Sequence, residues 1–303
     1  MVLPLLLLAC GGDPAPTAAT PAGAPTGAPP PPAAATDTIQ VKGSDSEVNL
    51  VQRLAEDFMK ANPGTSIAVT GGGSGAGIAG LMDGTTTIAN SSRDMKGAEK
   101  IEAQRKGLDV KTFVFATDGL AIIVNPASTL DGIDVDKLGA IYRGEVSTWD
   151  GGGAVSLYGR QSNSGTYDYF KSAVVKGEYS PNLKQMNGNA QIVEGVKADP
   201  AGIGYVAAGY VKGDNGAGVK ILSLSAVAGG PPVSPLDEAA VLSGAYALSR
   251  PLFQFINGAP TGGLKSFLAF EASPAGQAIV KEMGFYTISP EHAAANQALV
   301  GAP

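Results

Sequence analysis

A chain of 303 residues that is 44% apolar and 16% charged is long enough for two lobes or one large domain. A net charge of −6 argues against nucleic acid or an anionic membrane surface as an electrostatic partner, because phosphate backbones demand an excess of Lys and Arg. The 42 glycines imply many tight turns, and the single cysteine excludes an intramolecular disulfide.

Residues 1–10 read as the end of a secretory signal: the apolar run Leu5-Leu6-Leu7-Leu8-Ala9 finishes in a small residue before Cys10. Leu7-Leu8-Ala9-Cys10 resembles the lipobox of bacterial lipoproteins, which implies a lipidated Cys10. No Lys or Arg precedes the run, so the initiation codon is expected upstream. Residues 11–37, rich in Pro, Ala and Gly with almost no charge, cannot bury enough surface to offset ordering and read as a linker.

The first folded element is an alternating strand at 38–42, followed by Gly43-Ser44-Asp45-Ser46. A helix comes next, whose Val51, Leu54, Ala55 and Phe58 follow the i, i+3, i+4, i+7 stripe, and Asn62-Pro63-Gly64 stops it. A second strand at 66–70 leads into Gly71-Gly72-Gly73-Ser74-Gly75 and a short helix carrying Ile78, Leu81 and Met82. A third strand at 86–89 delivers Asn90-Ser91-Ser92-Arg93. The recurring order is strand, polar glycine turn, helix, which describes an α/β lobe that gathers ligands at the carboxyl ends of its strands.

Beyond a helix near 99–106, two β-rich runs follow at 110–116 and 120–124. An amphipathic helix with Val135, Leu138 and Ile141, the Arg160 loop, a helix with Tyr169 and Phe170, and a strand at 203–206 describe a second α/β lobe. A strand-like stretch spans 245–256. The tail closes with helices; Ser273, Pro274 and Gly284 mark the start and end of the last, and a polar, mobile segment is expected after Pro290.

Arg160-Gln161-Ser162-Asn163-Ser164-Gly165-Thr166 sets a guanidinium four residues before two hydroxyls at a helix start. Free backbone N–H groups there, a planar donor fork and two hydroxyls suit a tetrahedral oxyanion. Gly43-Ser44-Asp45-Ser46 and Gly73-Ser74-Gly75 are further hydroxyl-bearing helix starts able to meet the same ligand. The GxGxxG string at Gly75 to Gly80 is rejected as a dinucleotide fingerprint: more glycines and a serine precede it, and no acidic residue closes the unit. Catalysis has few candidates. The one histidine, His292, lies in the polar tail, Ser74 has no GxSxG elbow, and no His/Cys cluster suits a metal. Binding without a cofactor or chemistry is the better fit.

In this order, GSDSE at Gly43, GGGSGAGIAGL at Gly71, SSRDMK at Ser91, the Arg160 to Thr166 loop, DPAGIGY at Asp199, RPLFQFINGAP and GQAIVKEMGF resemble the phosphate-binding proteins of bacterial phosphate ABC transporters. The resemblance runs from about Thr38 to Pro290. It implies a two-lobed type II periplasmic binding protein with lobe 1 at 38–122 and 247–303 and lobe 2 at 123–246. Two crossover strands, near 120–124 and 245–253, would join the lobes. It further implies capture of inorganic phosphate outside the cytoplasmic membrane and delivery to a permease, on a lipid anchor at Cys10. Phosphate would meet Ser44, Asp45, Ser46, Ser74, Ser92 and Arg93 from one lobe and Arg160, Ser164, Gly165 and Thr166 from the other. Some family members carry an aspartate where this chain has Arg93, and that carboxylate accepts the proton of bound phosphate. Here Asp45 takes that role, or the site favours charge over proton reading. Alternatives are sulfate or molybdate as ligand, or an envelope-attached phosphoryl or acyl hydrolase using Ser74 or Ser164.

Overall fold

The computed structural model describes residues 37–301. The signal end, the lipidation site Cys10 and the linker up to residue 36 lie outside the described residues. The linker boundary moves by one residue, since Asp37 opens the first strand and its carboxylate accepts the Gly263 N–H at 2.7 Å.

The first half of the fold runs β1 (Asp37–Gly43), α1 (Val48–Ala61), β2 (Thr65–Thr70), α2 (Ser74–Met82), β3 (Ile88–Ser91), α3 (Gly97–Arg105) and β4 (Val110–Gly119). Next come β5 (Ala121–Val124), β6 (Gly132–Asp134), α4 (Val135–Arg143), β7 (Ser156–Arg160), α5 (Gly165–Phe170), β8 (Lys184–Met186), α6 (Asn189–Ala198), β9 (Gly202–Val206) and β10 (Lys220–Ser225). The chain closes with α7 (Glu238–Leu242), β11 (Ser249–Asn257), α8 (Gly262–Ala272), α9 (Pro274–Glu282) and α10 (Pro290–Val300).

These strands form two sheets, ordered β2-β1-β3-β11-β4 and β6-β10-β5-β9-β7-β8. In the first, β1 is parallel to both neighbours, with Val41 opposite Val69 and Ile88. Their carboxyl ends therefore share one sheet edge, and the turns after Gly43, Thr70 and Ser91 emerge side by side. In the second sheet β7 is parallel to β8 and β9, so the Arg160 turn leaves at a matching edge. The chain passes from one sheet to the other between Gly119 and Ala121 and returns into β11.

Each sheet is covered on both faces. The apolar stripe of α1 (Val51, Leu54, Ala55, Phe58) packs with Ile39, Val41, Phe267 and Val280, while Ile78, Leu81, Ala89 and Ala103 fill the opposite side. Alternation along β5 sends Ile122 and Val124 into one apolar cluster beside the second sheet and Ala121 and Ile123 into another. Gly77 lets α2 lie on β1, since a Cβ there would collide with the Lys42 carbonyl. That close packing explains the glycines that mimic a dinucleotide motif.

Three expected elements are corrected. The third strand begins at Ile88 rather than Thr86. Residues 245–248 are not strand: Tyr246 and Leu248 turn into the core, and pairing starts at Ser249. The segment after Pro290 is the helix α10, capped by Ser289 and fastened by Asn296, which donates to the Val114 carbonyl and accepts its N–H. Its one-sided contact with β4 and α8, not its mostly small and polar composition, makes it helical. Among the described residues no helix is long and apolar enough to cross a membrane.

Candidate functional site

The three turns of the first sheet meet the Arg160 turn of the second. Ser46 Oγ lies 2.9 Å and Ser92 Oγ 3.2 Å from Thr166 Oγ1. The Ser92 N–H donates to Ser74 Oγ at 3.2 Å. Ser46, Ser74, Ser92 and Thr166 are each almost wholly buried, so four hydroxyls from four separate turns converge away from bulk water. A buried hydroxyl without a partner is costly, and such a cluster therefore demands an acceptor-rich occupant or mutual pairing.

Backbone contacts hold the turns together. Asn163 O accepts the Gly75 N–H at 3.1 Å, and Asn163 Nδ2 donates to the Gly72 carbonyl at 2.9 Å. Ser164 is the N-cap of α5 and accepts the Thr166 N–H at 3.2 Å. Gly165 allows the approach, because a Cβ on it would strike Ser74 Oγ and crowd Ser92 Oγ. Since α5 has six residues, hydroxyls and arginines carry more of any anion binding here than its dipole does. Ser44 is buried in the β1–α1 turn, its N–H on the Asn90 carbonyl at 3.0 Å.

Arg160, 2% exposed, ends β7 and reaches across to the first sheet. Its Nη2 donates to Asp45 Oδ2 and to the Asn187 carbonyl at 2.8 Å, and its Nε donates to the Met186 carbonyl at 3.4 Å. Its buried Nη1 has no hydrogen-bond partner among the described residues. Asp45 does not cap α1; Glu47 occupies the N-cap position. The second Asp45 oxygen accepts the Gly72 N–H at 2.8 Å, and Tyr210 donates its hydroxyl to the Asp45 carbonyl at 2.8 Å. Both carboxylate oxygens are thus already held, which changes what Asp45 can do for a ligand.

Arg93 has a different set of partners from those its sequence position suggested. Its Nε donates to Asp168 at 3.0 Å, and its Nη1 and Nη2 grip Glu99 at 2.8 Å each, with a further bond to the Asp94 carbonyl at 2.8 Å. Lys96 adds a second ion pair to Asp168 at 2.7 Å. Asp168 belongs to α5 and the other three to the β3–α3 region, so this cluster fastens the two sheets together at the rim of the site. Burial alone would raise the Glu99 carboxyl, but the hydrogen bonds from Arg93 and from the Lys96 N–H bring it below its usual range.

Three buried charged residues beside the site, Arg250, Asp118 and Glu47, were missed by sequence reasoning. Arg250 on β11 lies opposite Asp118 on β4, and its Nε and Nη2 donate to one Asp118 oxygen at 3.0 and 2.8 Å. Arg250 Nη2 also donates to Thr166 Oγ1 at 3.1 Å. Glu47 is fully buried, and burial pushes its carboxyl well above the ordinary range, only partly offset by nearby Arg250. One signal was available: single charges inside the apolar runs around Asp118 and Arg250 are costly unless they find each other.

Four cations (Arg93, Lys96, Arg160, Arg250) face four carboxylates (Asp45, Glu99, Asp118, Asp168) around these turns. The local charge is balanced, so an anion would be held by directed donors rather than by net positive charge. His292 is far from a nucleophile role here, pairing its Nδ1 with Ser289 Oγ at 3.0 Å in the cap of α10.

The sequence from 28 to 275 matches the family model described as the PBP superfamily domain. The phosphate-binding protein PstS of Pseudomonas aeruginosa is 32% identical over 265 residues, which cover 80% of this chain and 80% of that protein. The chain belongs to the PBP superfamily, in the family of the PstS phosphate-binding proteins. Among solved structures, a phosphate ABC transporter substrate-binding protein with bound phosphate from Clostridium perfringens is similar with a TM-score of 0.73 at 27% identity, covering 84% of this chain and 100% of that one. An ABC-type phosphate transport receptor from Vibrio cholerae gives 0.67 at 27% identity over 82% and 100%. The fold of the PstS family, a two-lobed type II binding protein, is the one expected from the sequence and the one described above.

Proposed function

We propose that this chain captures inorganic phosphate outside the cytoplasmic membrane and hands it to the permease of an ABC transporter. The observation that carries the reading is the convergence of the buried hydroxyls of Ser46, Ser74, Ser92 and Thr166, with buried Arg160 reaching Asp45, the neighbour of Ser46 in the same turn. Tetrahedral oxyanions supply several acceptors within one small volume, and guanidinium N–H groups bind them with charge-assisted bonds. The names of the relatives narrow the oxyanion to phosphate. Ser44, Ser164 and the Gly165 backbone complete the ligand shell in this reading, with Asp45 holding Arg160 in place. Arg93 serves closure instead, through Glu99 and Asp168. The lobes are 38–122 with 247–303 and 123–246, hinged where the chain changes sheets, and a lipid on Cys10 tethers the chain to the membrane. No chemistry on the ligand is part of this reading.

A second reading, a fully ionised oxyanion such as sulfate or molybdate, is favoured by one observation: both Asp45 oxygens already accept hydrogen bonds, from Gly72 and Arg160. Calorimetric titration with phosphate, sulfate and molybdate separates the two. Phosphate is expected to bind most tightly; tighter binding of either other anion would overturn the first reading.

A further inference from the structure

Arg250 and Asp118 sit on the two strands that flank the sheet changes, 2% and 0% exposed, and their contacts reach both halves of the site. The second oxygen of Asp118 accepts the Ala208 N–H at 3.0 Å, which pins the carboxylate to the chain just after β9. Asp118 therefore fixes the plane of the guanidinium. From that plane Nη1 donates to the Ser92 carbonyl at 3.1 Å while Nη2 donates to Thr166 Oγ1 at 3.1 Å. The Tyr169 ring lies 5.1 Å from the guanidinium carbon and completes the enclosure.

The polarity of these bonds is fixed by chemistry. A guanidinium has no acceptor, so Thr166 Oγ1 must accept from Arg250, and one of its lone pairs is filled. Its single proton goes to one acceptor, and Ser46 Oγ at 2.9 Å and Ser92 Oγ at 3.2 Å compete for it with an oxyanion. Ser74 Oγ is treated alike, because the Ser92 N–H fills one of its lone pairs. Two hydroxyls from opposite sheets are thereby set as donors. An oxyanion offers the acceptors they need: with Arg250 on one Thr166 lone pair and the Ser46 or Ser92 hydroxyl donating to the other, the Thr166 proton is released to the ligand.

We infer that Arg250, aligned by Asp118, is a positioning residue of the oxyanion site that turns the Thr166 hydroxyl outward as a donor and fastens the Ser92 backbone beside it. The inference rests on the phosphate reading of the site. Lysine cannot substitute, because an ammonium carries no planar fork to satisfy Asp118, Ser92 and Thr166 together.

A double-mutant cycle read by titration with inorganic phosphate tests it. Arg250→Lys should weaken binding about tenfold when Thr166 is present and less than about twofold in a Thr166→Val background, which lacks the hydroxyl to be turned. Equal losses in both backgrounds would overturn the inference, since Arg250 would then act on the fold or on the anion directly. Unchanged affinity of Arg250→Lys would overturn it too. A wild-type chain that binds no phosphate in the same experiment would overturn the phosphate reading and this inference with it. If Arg250→Lys does not fold, the wild-type protein answers by nitrogen-resolved NMR of its arginine side chains. A shift of the Arg250 Nη resonances on adding phosphate supports the inference; unmoved resonances overturn it.

Discussion

The interior of the site and its rim both rest on arginine–carboxylate contacts, yet they differ in how far the charges are withdrawn from water. Inside, Arg160 and Arg250 are each 2% exposed, and Asp118 is fully buried. At the rim Arg93 is 8% exposed, but its partners Glu99 and Asp168 are 18% and 19% and Lys96 is 50% exposed. A buried pair that loses one partner leaves an uncompensated charge worth about 3–5 kcal/mol, while an exposed pair contributes about 0–1 kcal/mol. The interior thus sets what binds, and the rim adjusts how firmly the halves stay together.

The largest effect should come from the interior. Arg160→Ala removes a desolvated donor fork and leaves Asp45 without its partner, so phosphate binding should fall at least ~100-fold, about 2.7 kcal/mol. Lys96→Ala, by contrast, should change it by less than about threefold. Similar dissociation constants for Arg160→Ala and wild type by calorimetry would erase the division between interior and rim.

Asp45 sharpens the comparison from the carboxylate side. The sequence suggested that it reads the phosphate proton, in which case Asp45→Asn should narrow the phosphate-to-sulfate ratio about tenfold, or 1.4 kcal/mol. With Gly72 and Arg160 on its two oxygens, the expected outcome is now different: both anions weaken by a like factor of about ten, because Arg160 loses its anchor. A narrowed ratio in parallel titrations would restore the proton-reading role.

How much of this was legible follows from how far apart the interacting residues are. The turns after β1, β2 and β7 could be read from local pattern, since each joins an apolar strand to a capped or glycine-opened helix within a few residues. That the four turns converge follows from parallel strand order, which no local string states. The pairing of Arg250 with Asp118 is hidden for the same reason: 132 residues separate them, and only the antiparallel register of β4 and β11 sets them opposite one another. The family resemblance groups Arg93 with Ser92 at the ligand, but its longer side chain turns to Glu99 and Asp168. Helix α10 is not legible in its own periodicity because its stability lies in docking through Asn296.

Glu47 extends the contrast to proton affinity. Burial raises the proton affinity of its carboxyl in the folded state, and Arg250, paired with Asp118, offsets this only in part. Above about pH 4.5 the unfolded carboxyl releases its proton while the folded one retains it, so Glu47 lowers stability as pH rises. Glu47→Gln keeps the shape and removes the titration. Its melting temperature should exceed that of wild type at pH 8, with the gap shrinking toward pH 4.5; a gap independent of pH would mean that Glu47 is ionised in the fold.

The smallest effect belongs to the rim, and its signature is its dependence on conditions. Asp168→Asn removes the carboxylate that Arg93 and Lys96 share across the sheets, so the ligand-closed form should lose part of its advantage over the open one. The expected loss of phosphate affinity is about twofold to fourfold at low ionic strength, shrinking in ~0.5 M salt as the exposed Lys96 contact is screened. Glu99 sets the acid limit of the same cluster. Its carboxyl titrates below the ordinary value of 4.5, so its contribution is present above that value and disappears as pH falls through the lower folded one. Small-angle scattering with and without phosphate would follow closure directly, with a smaller radius of gyration for the bound wild type and a weaker contraction for Asp168→Asn at subsaturating ligand. If Asp168→Asn binds and contracts like wild type at every salt concentration, the rim contacts are surface pairs without a part in closure, and the interior alone holds the two sheets together.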